Sequence, residues 1–198
     1  MAVEVLPLLS RFENVNDRES ETAFFRTQVP WVGSLAYLNI IFKPVPEEVL
    51  QTAAQGLRIP SSVIEFMRKQ NGADLFSGAL SVYGVHRPGQ MLNRGDPFSD
   101  LPFNIEDENF NWPPFDRTRL FAVGGYGFNG SRVCIDRRDS SIYLFQRGER
   151  QLMPTPSSAW PSLEDWLYSE IARLSMVFDT RGRRLVDESM TLPHVSSS

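Results

Sequence analysis

Residues 57–85 (LRIPSSVIEFMRKQNGADLFSGALSVYGV) predict a helix, the end of that helix and a strand in close succession. The Pro-Ser-Ser tripeptide is typical of a helix start, and Glu65 completes a capping-box pattern with the serines. Asn71-Gly72 is expected to end the helix, because both residues tolerate a left-handed backbone. A strand is predicted over 80–85. No side chain of this stretch is chemically reactive, so it constrains the fold more than the chemistry.

The flanking segments predict a chain that mixes helices and strands. Pro46 and the two glutamates after it favour a second helix, which Gly56 is expected to end. Residues 31–42 are strongly apolar and predict a buried strand or a short helix. The closing helix is expected to begin near Ser162. Further strands are predicted over 120–123, 131–136, 141–146 and 149–153.

Length, charge and cysteine content exclude several classes of protein. A chain of 198 residues is expected to form one domain of ordinary size, or one domain with extensions. Its net charge of −4 argues against nucleic acid as a partner. No apolar run approaches the roughly 20 residues of a membrane helix. Cys134 is the only cysteine, so no intramolecular disulfide can form, and the chain is compatible with a reducing compartment.

The segment 86–119, here called the acidic segment, has the most function-like composition. Between Arg94 and Arg117 it carries six acids and no basic residue, with aromatic residues interleaved. One interpretation is a loop that binds a basic protein, with charge guiding encounter and rings supplying contact energy. The other is a lid whose rings fill the core while its acids face water. The predicted partner-binding residues are Asp100, Glu106, Asp107, Glu108 and Trp112.

The remaining motifs predict structure more than chemistry. Residues 125–130 match the dinucleotide pattern G-x-G-x-x-G, but a strand follows them where that site requires a helix, so a tight connection is expected. Cys134 is expected to be a buried structural thiol. With His86 and His194 as the only histidines, neither a zinc cluster nor a serine-hydrolase triad is predicted. The sequence selects no catalytic residue, no metal ligands and no cofactor.

Three segments together resemble one known family. They are the acidic helix and Ile59-Pro60 step leading to IPSSVIEFMRKQNGADLF, the glycine hairpin FAVGGYGFNGSRVCIDRRDSSIYLF, and the closing SLEDWL. Their order and spacing resemble the SUKH superfamily, the Smi1/Knr4-like domain, over about residues 45–174. The chain departs from the family pattern at GGYGFNG, which lacks the usual aspartate of the hairpin.

The resemblance implies an α+β fold with a central, mostly antiparallel sheet flanked by helices. The expected organisation is an N-terminal extension (1–44) packed on the domain, a SUKH-like domain (45–176) with an insertion at 86–119, and a C-terminal tail (177–198). Many bacterial members of the family are immunity proteins that neutralise a cognate toxin, often a nuclease, and fungal relatives are regulators acting through protein contacts.

The expected function is therefore non-catalytic binding of a cognate toxin or another basic protein in the cytoplasm, with no nucleic-acid or membrane partner. The alternative is a regulatory domain acting through protein contacts or a small-molecule pocket.

Overall fold

Each strand of the protein pairs antiparallel with the next strand along the chain, in one continuous sheet. The computed structural model describes residues 4–87, 89, 101–110, 117–145 and 159–193. The strands are β1 (Arg18–Glu19), β2 (Ala23–Gln28), β3 (Tyr37–Phe42), β4 (Ala73–Leu75), β5 (Leu80–Val82), β6 (Leu120–Tyr126), β7 (Ser131–Asp136), β8 (Ile142–Phe145) and β9 (Ala159–Trp160). The helices are α1 (Val5–Leu8), α2 (Glu47–Leu57), α3 (Ser61–Lys69), α4 (Ile105–Phe110) and α5 (Leu163–Val177), with 3₁₀ turns at Ser10–Phe12 and Glu188–Thr191.

The predicted α+β fold with an antiparallel sheet is confirmed. The G-x-G-x-x-G segment lies at the turn between β6 and β7, as the strand that follows it predicts. In the apolar stretch 31–42, only Tyr37–Phe42 is a strand, and Trp31 lies in the preceding turn with half of its surface exposed. The strand predicted over 149–153 lies outside the described residues.

The caps predicted for α2 and α3 are wrong in detail. No side chain caps α3: Pro60 occupies the N-cap position, and the Ser62 hydroxyl is buried without a hydrogen-bond partner in the described part of the chain. Helix α2 continues past Gly56, and Arg58 takes the left-handed conformation that ends it, at φ 52°. Proline at the helix start and tertiary packing replace the local capping that the sequence pattern predicts.

Asn71 and Gly72 join β4 to the rest of the sheet after α3 has ended at Lys69. The Asn71 side chain forms both hydrogen bonds of a strand pair: Nδ2 donates to the Val85 carbonyl at 2.7 Å, and Oδ1 accepts from the Val85 amide at 2.8 Å. Gly72 has φ 89°, and a Cβ there would lie 2.5 Å from the Val82 carbonyl oxygen. Asn71 and Gly72 therefore hold the start of β4 against β5 and the residues that follow β5. The sequence pattern predicts a helix cap at these two residues instead.

The main hydrophobic core lies between one face of the sheet and the helices. Ile41, Val82 and Val133 lie on this face, and Trp166 of α5 packs over it. Gly124 permits this approach, because a Cβ there would lie 2.6 Å from the Trp166 ring. Ser162 caps α5 by accepting a hydrogen bond from the Asp165 amide at 3.1 Å, as predicted.

A buried polar network fixes α5 to the β6–β7 hairpin. Tyr126 donates from its hydroxyl to Glu170 at 2.7 Å, and the Trp166 indole donates to the Tyr126 oxygen at 3.2 Å. Arg173 completes the network with an ion pair to Glu170 at 2.6 Å and a hydrogen bond to the Thr191 carbonyl. The carboxylate of Glu170 is buried, so this pairing is what makes its charge tolerable.

The opposite face of the sheet carries a smaller apolar cluster and a row of polar residues. Phe25 and Ile40 belong to the cluster, and Asp74 and Ser81 continue the same row across β4 and β5. Ser81 donates to Asp74 at 3.2 Å, and burial raises the pKa of Asp74 to about 6. Desolvation thus outweighs the single hydrogen bond to the ionised form.

The strand order also determines which connections meet. Because neighbouring strands are antiparallel, the β3–β4, β5–β6 and β7–β8 connections lie at the same end of the sheet. Helices α2 and α3, helix α4 and the Arg137–Ser140 turn are therefore brought together there. No helix in the described ranges combines the length and the apolar character that crossing a membrane requires.

Replacing Asn71 with alanine is expected to destabilise the protein by about 2–4 kcal/mol, because it leaves the buried Val85 amide and carbonyl without partners. Chemical unfolding of the variant beside Asn16→Ala, an exposed asparagine, measures the difference. Equal stability of the two variants would contradict the role given to the Asn71 side chain.

Asp74→Asn is expected to stabilise the protein at pH 7.5, by at most about 3 kcal/mol. The raised pKa means that the folded state prefers the protonated carboxyl, and this contribution to stability is lost as pH rises through about 6. The gain should therefore shrink when unfolding is measured at pH 4.5. Asp107→Asn, which removes an exposed charge, serves as control and should show no such trend.

Candidate functional site

Helix α4 lies within the acidic segment, where a loop is expected from the sequence, and it is bonded firmly to the sheet. Asn109 donates from Nδ2 to the Ala122 carbonyl at 2.9 Å and accepts from the Ala122 amide at 2.8 Å. The register of β6 and β7 shifts between Ala122 and Gly124, at this point of contact. Gly84 holds the start of the helix, because its amide donates to Phe103 and its carbonyl accepts from Ile105.

The three consecutive acids of α4 have different environments. Glu106 and Asp107 are exposed, whereas Glu108 forms an ion pair with Arg132 of β7 at 2.6 Å. Burial raises the pKa of Glu108, against the opposing effect of Arg132. Of the predicted partner-binding residues, Glu106 and Asp107 are thus accessible to a partner. The Glu108 carboxylate is already paired with Arg132 within the protein. Asp100 and Trp112 lie outside the described residues.

Two aromatic rings of the acidic segment also face outwards. Phe110 is 73% exposed and Phe103 is 47% exposed, so neither fills the core as the lid interpretation expects. Phe110 follows Glu106 by four residues, the spacing that places two side chains on one side of a helix. The other rings of the segment, Phe98, Trp112 and Phe115, lie outside the described residues.

A cleft of about 790 Å³ separates α2 from the acidic segment; it is here called the α2 cleft. Glu48, Thr52 and Gly56 of α2 form one wall, and His86 and Glu106 lie across it. The imidazole Nε2 of His86 is 2.6 Å from the Pro102 carbonyl, which fixes the ring in place. The volume of the α2 cleft is within the range of small-molecule sites.

A second cavity of about 460 Å³, here called the arginine pocket, adjoins the first and shares Gly56, Leu57 and Glu106 with it. Arg58, Arg117 and Arg137 line it. In the sequence these arginines look scattered, and only the meeting of three connections at one end of the sheet brings them together. A sequence pattern restricted to neighbouring residues carries no signal for this pocket.

The described residues offer no recognisable catalytic centre. Cys134 is fully buried in β7, as predicted, and burial raises the pKa of its thiol well above the ordinary range. Within the described ranges, no group of three or more His, Cys, Asp or Glu side chains is placed to hold a metal ion. What the site offers is concave surface, exposed rings and charge.

These features define an α+β domain with surface clefts at one end of an antiparallel sheet. The family model described as SMI1 / KNR4 family (SUKH-1) matches residues 44–169. The chain therefore belongs to the SMI1/KNR4 family, as the resemblance predicts. No curated protein and no solved structure was found to match it.

Asn109→Ala is expected to loosen α4 from β6, because the Ala122 amide and carbonyl lose their partners. Hydrogen exchange should accelerate at residues 105–110 and at Ala122, by at least tenfold, which corresponds to about 1.4 kcal/mol. Asp107 lies on the same helix, and its side chain forms no hydrogen bond within the described residues. The exchange pattern of the control variant Asp107→Asn should therefore match that of the unchanged protein. Undiminished protection of α4 in Asn109→Ala would refute this anchoring.

Proposed function

We propose that the protein is a non-catalytic binding domain that neutralises a cognate toxin, of nuclease type, by direct contact in the cytoplasm. The observation that carries the proposal is the outer surface of α4, where Glu106 and Asp107 are exposed beside the rings of Phe103 and Phe110. Membership of the SMI1/KNR4 family supports a role in protein contacts without specifying the partner.

Charge and shape on this surface suit a basic partner. Carboxylates at the rim of an interface accelerate encounter with an oppositely charged protein, while exposed rings supply area that is buried on binding. Helix α4 has acids in its first turn and no basic residue in its last turn. The net charge of −4 adds a long-range attraction for the same basic partner.

Rigidity is the second requirement, and it is met by the hydrogen bonds of Asn109 and Gly84. A recognition helix that is already fixed loses less conformational entropy on binding than a free loop. The mechanism would be stoichiometric occlusion, in which α4 covers a basic active site and excludes the substrate. No chemical step by this protein is required.

Reversing the exposed charges is expected to weaken toxin binding by about tenfold or more and to reduce its salt dependence. The variant is Glu106→Lys/Asp107→Lys, tested by calorimetry and by rescue of cells that express toxin candidates from neighbouring genes. Glu21→Lys/Glu65→Lys makes the same charge change on other exposed positions and should bind with little loss. Phe110→Ala should cost about 2 kcal/mol of binding free energy as a contact residue.

If no neighbouring toxin candidate binds or is neutralised, the immunity function is refuted. If a toxin binds but both charge-reversal variants weaken it equally, the α4 surface is not the contact and only the overall charge matters.

A second candidate function is a regulatory domain that takes a small molecule, and the α2 cleft with its volume of about 790 Å³ favours it. A ligand that binds only the folded state raises the melting temperature. A thermal-shift screen of metabolites, followed by competition with any toxin found, separates this function from toxin binding.

A further inference from the structure

The arginine pocket contains positive charge that the rest of the described protein does not neutralise. Arg137 donates from Nη1 to the Arg58 carbonyl and from Nη2 to the Leu57 carbonyl at 3.3 Å. These carbonyls end α2, so the guanidinium group satisfies the last turn of that helix. The same contacts fix the position of Arg137 at the edge of the pocket.

Arg137 is the most desolvated cation of the pocket. Its guanidinium lies 4.8 Å from the centre of the Phe121 ring, and its Nε is buried without a hydrogen-bond partner among the described residues. Burial lowers the pKa of Arg137, and the neighbouring charge of Arg58 lowers it further. An anion in the pocket would favour the charged form of Arg137 and so oppose both effects.

Arg58 and Arg117 add two exposed guanidinium groups to the same cavity. Arg58 is held in the left-handed conformation at φ 52°, which is unfavourable for a residue with a side chain. On the opposite wall, Arg117 donates to the Phe110 carbonyl at 2.7 Å and lies 5.8 Å from the Phe110 ring centre. The guanidinium of Arg117 is thus positioned by the backbone and the ring of Phe110.

Two arginines close in sequence to Arg117 and Arg137 form salt bridges, whereas the pocket arginines form none with the described residues. Arg119 and Arg138 both contact the buried carboxylate of Asp136, at 2.5 Å and 3.3 Å. None of the three pocket arginines forms a salt bridge to any residue that the structure describes. Asp136 thus pairs with the two arginines outside the pocket, while Glu106 is the single acid on the described lining.

We propose that the arginine pocket binds the phosphate group of a small phosphorylated molecule. Planar guanidinium groups form paired hydrogen bonds with oxyanions, and three cations suit a dianion with three free oxygens better than a carboxylate with two. A volume of about 460 Å³ leaves room beside the phosphate for an organic portion, which the Phe110 and Leu120 side chains would contact. This inference rests on the second candidate function, whose ligand class it names; it places the ligand in the cavity adjoining the α2 cleft, and its test requires no toxin.

The test uses the full chain with inorganic phosphate and phenyl phosphate as probes, with ionic strength held constant by sodium chloride. Calorimetry and thermal shift are expected to detect binding of both probes, with phenyl phosphate the tighter, and no effect of chloride or acetate. Arg58→Asn/Arg117→Gln should reduce affinity at least tenfold. Asparagine is chosen at position 58 because it tolerates the left-handed backbone.

Two further variants make the test specific. Arg11→Gln/Arg181→Gln removes the same charge from exposed positions outside the pocket and should keep the affinity of the unchanged protein. Glu106→Gln removes the single acid of the described lining and should raise phosphate affinity about twofold to fivefold. Circular dichroism and chemical unfolding confirm that each variant is folded.

Absence of phosphate binding by the unchanged protein overturns the proposal, as does equal loss in the pocket variant and the control. Acetate binding as tightly as phosphate overturns the assignment to phosphate. If a neutral molecule stabilises the protein while both phosphate probes fail, the second candidate function stands and the phosphate site does not.

Discussion

Two asparagine side chains form hydrogen bonds that a neighbouring strand would otherwise form, and the position of the proposed binding surface depends on them. Asn71 pairs with both backbone groups of Val85, and Asn109 does the same with Ala122. A side-chain amide has the donor and the acceptor of a peptide group, so it can continue a sheet where no strand is present. One amide fixes the chain after α3 beside the segment that follows β5, and the other fixes α4 to β6.

The consequence for function is a rigid end of the sheet built from separate parts of the sequence. Helix α2, helix α4 and the Arg137 turn meet there, with exposed acids and rings on one side and, in a pocket on the other, three arginines that have no salt bridge to a described residue. Glu106 stands at the border between the two, because it lines both the α2 cleft and the arginine pocket. A protein partner and a small anion could therefore use neighbouring surfaces and influence each other's binding.

Local sequence patterns predict the elements of this fold well where the stabilising contacts are local. Ser162 caps α5, and the turn between β7 and β8 falls where a polar tetrapeptide separates two apolar strands. The same reasoning fails for Asn71, whose partner Val85 is fourteen residues away. It also misses α4, because a helix of six residues gains its stability from Asn109 and Gly84 and not from propensity. The exposed acids could be selected from composition, whereas the arginine pocket depends on topology alone.

The two outermost strands, β1 and β9, are each two residues long. An incoming chain that extends a sheet needs a longer row of free backbone groups than either strand presents. As far as the described residues extend, recognition by strand addition is therefore disfavoured at both margins, and edge-to-edge aggregation is restrained for the same reason. The partner proposed for this protein would instead engage side chains, so its specificity would depend on a small number of surface positions that can change by mutation without destabilising the sheet.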